Sequence, residues 1–120
     1  MRNIKILYFF VIINIIVPFH SSFSQSWQWA RQGNDTGNGA DWGSGINIDV
    51  FGNVYVTGVF TNTIKFGNDS LVSAGSNDIF IAKYDTAGNL QWITRTGGIT
   101  WDQSNDITSD LSGNIYITGS

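Results

Sequence analysis

Beyond its first two dozen residues, the chain alternates short apolar and aromatic runs with clusters of Gly, Asn and Asp. That is the pattern of β-strands separated by turns. The clearest runs are residues 54–60, Val-Tyr-Val-Thr-Gly-Val-Phe, and residues 79–84, Ile-Phe-Ile-Ala-Lys-Tyr. Odd and even positions are both largely apolar: Val54 and Val56 against Tyr55, and Ile79 and Ile81 against Phe80, Ala82 and Tyr84. A sheet with one wetted face would alternate cleanly, so these strands are expected to be covered on both sides. Residues 90–96, Leu-Gln-Trp-Ile-Thr-Arg-Thr, are more mixed and suit an outer strand. No stretch beyond the leader shows helical spacing, which makes the fold class all-β.

The turns repeat as well. Asp49-x-x-Gly52-Asn53, Asp85-x-x-Gly88-Asn89 and Asp110-x-x-Gly113-Asn114 share one pattern, each lying between two strand-like runs. An Asp at the first turn position accepts from backbone N–H groups further on, and the Gly supplies a positive φ. On a larger scale, residues 46–58 match residues 107–119 at an offset of 61, with seven of thirteen positions identical. Asp41 and Asp102 share that offset, and Gln28-Trp29 matches Gln91-Trp92 at 63. Each unit thus holds two hairpins joined by residues 60–77, within which Ile64-Lys-Phe and Leu71-Val-Ser suggest a minor hairpin.

Two hairpins make a four-stranded antiparallel sheet, and a sheet apolar on both faces that recurs every 61 to 63 residues describes a β-propeller blade covered by its neighbours. Residues 27–33 are expected to be the last strand of a blade, 45–96 one whole blade and 105–120 the start of the next. Closure takes four to eight blades, roughly 240 to 490 residues at this repeat length. The chain is therefore expected to be part of a longer one, in which the leading strand would complete a blade with strands from the other terminus. Alone, one blade would leave apolar faces uncovered and be poorly stable.

The N-terminus has a different character. Arg2 and Lys5 precede an apolar run, residues 6–17, broken only by Asn14, and then Pro18 and the polar stretch 21–25. This is the order of a secretory signal peptide over residues 1–24, with Ser22 and Ser24 as the small residues before a cut at Gln25. A run this short does not span a bilayer, which needs about 20 apolar residues. No membrane span is expected after cleavage, and the product is expected to be secreted or held at the cell surface. Removing Arg2 and Lys5 takes the formal charge from −3 to −5 and removes His20. The remainder has no Cys, His or Glu, which excludes disulfides, thiolate or Ser-His-Asp catalysis and His or Cys metal sites. An acidic chain without a basic cluster gives no reason to expect nucleic acid as a partner.

Taken together, the Trp29 segment, Asp49-x-x-Gly-Asn-Val-Tyr-Val-Thr-Gly58, residues 78–84, Gly88-Asn89-Leu-Gln-Trp92 and Gly97-Gly98 resemble the bacterial β-propeller repeat called SBBP, from Trp27 to Ser120. The resemblance implies a many-bladed propeller in a secreted or surface protein, often with further modules and a C-terminal sorting domain. It brings no catalytic residues with it, and this chain departs from a complete member in having few repeats.

Candidate chemistry is sparse. Asp102, Asp106 and Asp110 are evenly spaced, but no EF-hand or nonapeptide calcium motif is present, and Asp49, Asp85 and Asp110 already have turn roles. No metal site and no cofactor are expected. Pairing Asp41 with Asp49 as acid and base would be arbitrary, so no catalytic residue is assigned. Trp29, Trp92, Tyr55 and Tyr116 recur with the repeat and read as packing residues. Trp42 and Trp101 do not superpose and lie in Gly-rich loops, which makes them the candidates to face a ligand. Asn34 and Asn68 open glycosylation sequons of a kind common by chance, and Lys65 and Lys83 suit a solvated loop and strand edge. The leading function is a non-catalytic propeller scaffold for a protein or glycan; the alternative is a propeller domain of a larger exported enzyme or adhesin.

Overall fold

The computed structural model describes residues 28–36 and 38–120. The segment read as an export signal lies outside the described residues. Nine strands follow in chain order: β1 (Gly33–Asp35), β2 (Trp42–Ile48), β3 (Val54–Phe60), β4 (Thr63–Phe66), β5 (Asp69–Val72), β6 (Asp78–Tyr84), β7 (Leu90–Thr96), β8 (Ser104–Ser109) and β9 (Ile115–Gly119). Among the described residues there is no helix, so the fold is all-β.

Strands β2, β3, β6 and β7 form one antiparallel sheet in that order, with β7 at an edge as its mixed sequence suggests. The expected minor hairpin is β4–β5, which lies in a separate three-stranded sheet with β1. Strands β8 and β9 pair as the recurrence of β2–β3. Both faces of the central strands are indeed used. Val54, Phe80, Ala82 and Tyr84 point to one side and pack with Phe60, Ile64 and Phe66. Tyr55 and Ile81 point to the other, where Ile107, Ile115 and Ile117 of the β8–β9 hairpin cover them.

The second contact shows how successive repeats stack. Ile107 is 4% exposed, and burying an Ile side chain this completely contributes about 1.5–3 kcal/mol. Gly45 permits the approach: a Cβ there would stand 3.2 Å from the Ile107 nitrogen and 3.3 Å from its Cγ2. The Asn47 amide donates to Ser109 Oγ over 2.6 Å, and the Ser104 and Ser44 hydroxyls bond at 3.2 Å. At an offset of 61, Ile107, Ile115 and Ile117 correspond to Ile46, Val54 and Val56. These three are on the opposite face of the four-stranded sheet, where Ile46 is 66% and Ile48 64% exposed. The surface that one repeat uses to cover another is thus present a second time in the preceding repeat, partly open.

The structure departs from the sequence reading at the N-terminal side. Residues 28–32, expected in the last strand of a blade, form no strand, and β1 pairs with β4. Trp92 has β6 as its pairing partner, but no described strand offers Trp29 the same. Instead the Trp29 indole N–H donates to the Thr86 carbonyl over 3.2 Å, and its ring packs on Tyr84 at 5.7 Å.

Candidate functional site

The two ends of the sheet are built differently. One carries the tight turns after β2, β6 and β8. At the first, Asp49 Oδ1 accepts from the N–H groups of Phe51 and Asn53, both at 2.9 Å, while Oδ2 accepts from the Asn53 amide at 2.8 Å and the Tyr55 hydroxyl at 3.2 Å. Asp85 repeats this with Ala87, Asn89 and the Gln91 amide, and Asp110 with Ser112, Asn114 and the Tyr116 hydroxyl. The Gly of each turn has φ near 80°, at 83° in Gly52, 78° in Gly88 and 84° in Gly113. Burial tends to raise the Asp49 carboxyl, but the Asn53, Phe51 and Tyr55 donors outweigh it and hold its pKa below the usual value. The Asn89 N–H and amide lower Asp85, and the Asn114 amide and N–H lower Asp110. With four donors each, these carboxylates are committed to the turns and offer nothing to a substrate or ion.

The other end gathers residues 38–41, 61–62, 73–77 and the longer connection 97–103. Trp42 and Trp101 meet here, their ring centroids 6.1 Å apart and their planes at 39°. A β-bulge between Gly43 and Gly45 explains the position of Trp42. Trp42 pairs with Val59 and Ile46 with Val56, so the bulge reverses the alternation and turns the indole toward β8, away from the Ile46 face. Trp42 is therefore the first residue of β2, not a loop residue as its sequence neighbourhood suggests, and it is half-buried. Trp101 lies outside the named strands, forms a parallel bridge with Asn77 and is 57% exposed.

Carboxylates accompany the indoles. Asp41 Oδ1 accepts from the Thr61 N–H over 3.0 Å, while its Oδ2 is buried without a hydrogen-bond partner. Burial raises the Asp41 pKa, the Thr61 N–H counters this, and the negative charge of Asp35 adds to the rise. Asp78 is fully buried, and its Oδ2 accepts from the Arg95 guanidinium and from the Ala74 N–H. Asp102 Oδ2 accepts from the Gly98 N–H over 2.7 Å. The Asp78–Arg95 pair left little trace in the sequence beyond an acid opening an otherwise apolar strand.

Other residues singled out from the sequence do not come together. Asp41 and Asp49 flank the seven residues of β2, about 26 Å apart at roughly 3.3 Å per residue, which is too far for one acid–base pair. Asp102 and Asp110 lie at opposite ends of β8 in the same way. Tyr55 packs as expected, 2% exposed, with Trp92 at 6.2 Å and the Lys83 ammonium 5.3 Å from its ring centroid. A cavity of about 380 Å³ opens on the Ile46 face, lined among others by Trp29, Arg31, Asp41, Phe80 and Tyr84.

Residues 91–120 match the family model described as SBBP, beta-propeller repeat. The matched stretch runs from β7 of the four-stranded sheet through β8 and β9. The chain is 37% identical over 94 residues to the uncharacterized WD repeat-containing protein L264 of Acanthamoeba polyphaga mimivirus, covering 66% of this chain and 7% of that protein. It is 32% identical over 47 residues to the regulatory protein FlaEY of Caulobacter vibrioides, covering 39% of this chain and 5% of that protein. The chain thus spans less than a tenth of the length of either relative.

Proposed function

From a chain that carries an SBBP β-propeller repeat, we propose a bacterial, secreted or cell-surface propeller scaffold that binds a protein or glycan ligand without catalysis. Export follows from the leader at residues 1–24. The observation that carries the binding role is the Trp42–Trp101 pair. It places aromatic surface at the loop-bearing end, at the junction of two successive repeats, with one indole more than half exposed. Rigid scaffolds commonly present binding residues on such loops, and indole faces suit the apolar face of a sugar ring or a protein side chain. In support of a scaffold role, the Asp residues of the opposite end are consumed by their turns. A glycan array probed with the whole protein and with its Trp42→Ala and Trp101→Ala forms tests the reading. Signal lost in both variants is the expected result, and unchanged signal in both removes this end from consideration.

A further inference from the structure

Ile99 is 86% exposed, more than any other large apolar side chain among the described residues, and it lies two positions from Trp101 at the loop-bearing end. Ile46 and Ile48 owe their exposure to the open stacking face, and Leu111 sits in a turn where its counterpart Val50 is apolar too. Ile99 has no such origin. At the 61-residue offset its counterpart is Asn38, and that of Trp101 is Ala40. The repeat therefore requires neither side chain, and both are additions peculiar to this loop.

The loop is held from behind. The Asp102 carboxylate closes residues 98–102 by accepting from the Gly98 N–H over 2.7 Å, the Asp102 N–H donates to the Asn77 carbonyl over 3.0 Å, and Trp101 forms a bridge with Asn77. Gly75 lets the neighbouring loop back directly onto this one: a Cβ there would stand 2.5 Å from the Ile99 carbonyl carbon and 2.8 Å from the Gly98 oxygen. The backbone is thus fixed while the Ile99 side chain stays in water, so little ordering remains to oppose binding.

We propose, resting on the binding role given above to the Trp42–Trp101 pair, that the ligand of this end is a basic protein segment, with Ile99 and Trp101 as the anchors that receive it. An isoleucine side chain gains only by burial against another apolar surface. A sugar would press hydroxyls on it that it cannot satisfy, whereas the aliphatic stem of an arginine or lysine packs on it and leaves the cation for the indole face of Trp101. The charge balance points the same way. Outside the leader, nine Asp stand against four Lys and Arg, and one of those four, Arg95, is paired with Asp78. The field around the chain therefore draws a cationic partner and repels an acidic one.

An array of immobilised random dodecapeptides, probed with the whole protein, tests this. The retained peptides should be rich in Arg and Lys, and their binding should weaken as salt is raised from about 0.05 to 0.5 M. Ile99→Ser should lower affinity for them at least about tenfold. Leu111→Ser, which alters an 80% exposed side chain in a turn at the opposite end, should leave it unchanged. The proposal is overturned if the retained peptides are not basic, or if the Ile99→Ser protein binds them as tightly as the unmodified one. A glycan-array signal that needs Trp42 and Trp101 but survives Ile99→Ser, with no dodecapeptide retained, overturns it as well and leaves the binding role of the tryptophan pair standing.

Discussion

The Tyr55 hydroxyl donates to Asp49 Oδ2 across 3.2 Å, fastening a surface turn to a side chain that is only 2% exposed. Tyr116 and Asp110 repeat the bond at 3.0 Å one unit later. Donors depress the pKa of Asp49, Asp85 and Asp110. Their contribution to stability is therefore complete above the unfolded carboxylate value, about 3.9, and lost as pH falls through the lowered folded values. Asp41, raised by burial, acts in the opposite sense and loses its contribution as pH rises through its folded value. Three sites outnumber one, so denaturant stability should fall as pH drops below about 4. Tyr55→Phe should move the acid midpoint upward, and a midpoint unchanged by that substitution would remove the hydroxyl from the clasp.

The equivalent glycines Gly52 and Gly113 should respond unequally to the same change. Both have positive φ, but a Cβ on Gly52 would stand 2.8 Å from Thr86 Cγ2, whereas Gly113 has nothing within 4 Å. Gly113→Ala should cost about 1 kcal/mol from its backbone conformation alone. Gly52→Ala should cost more, because the β6–β7 turn must also give way. Urea unfolding of both variants measures the difference, and equal losses would show that the Thr86 contact is relieved freely.

The repeat, the three Asp turns and the apolarity of both strand faces were legible because each is a local pattern. The clasp was half legible: the Asp and Gly roles follow from turn chemistry, whereas Asn53 and Tyr55 recur at fixed distances from Asp49 without announcing that their side chains turn back to it. Trp42 opens β2 although Gly43 and Gly45 make its neighbourhood look like a loop, and the β-bulge those glycines accommodate, which sets the face Trp42 occupies, has no signature of its own in the sequence. The meeting of Trp42 with Trp101 depends on the stacking of one repeat on another, to which no local pattern refers. The close approach of Gly75 to Ile99 is likewise a long-range juxtaposition.

Stability and binding should separate at the aromatic end. Trp101 is 57% exposed, so Trp101→Ala should change stability by no more than about 0.5 kcal/mol. Trp42 is half-buried at the start of β2, and its truncation should cost more. Thermal melts of both variants provide the comparison. A larger loss from Trp101→Ala than from Trp42→Ala would mean that Trp101 is a packing residue and unsuited to a ligand role.

Stacking of one repeat on the next rests on Ile81 in β6 and Ile107 in β8, 7% and 4% exposed in one apolar cluster. Each Ile→Ala substitution alone should cost about 2–5 kcal/mol. The direct test is a double-mutant cycle on Ile81→Ala and Ile107→Ala by urea denaturation. A coupling energy of about 0.5–3 kcal/mol is the result expected of side chains packed across successive repeats; strictly additive losses would contradict that packing.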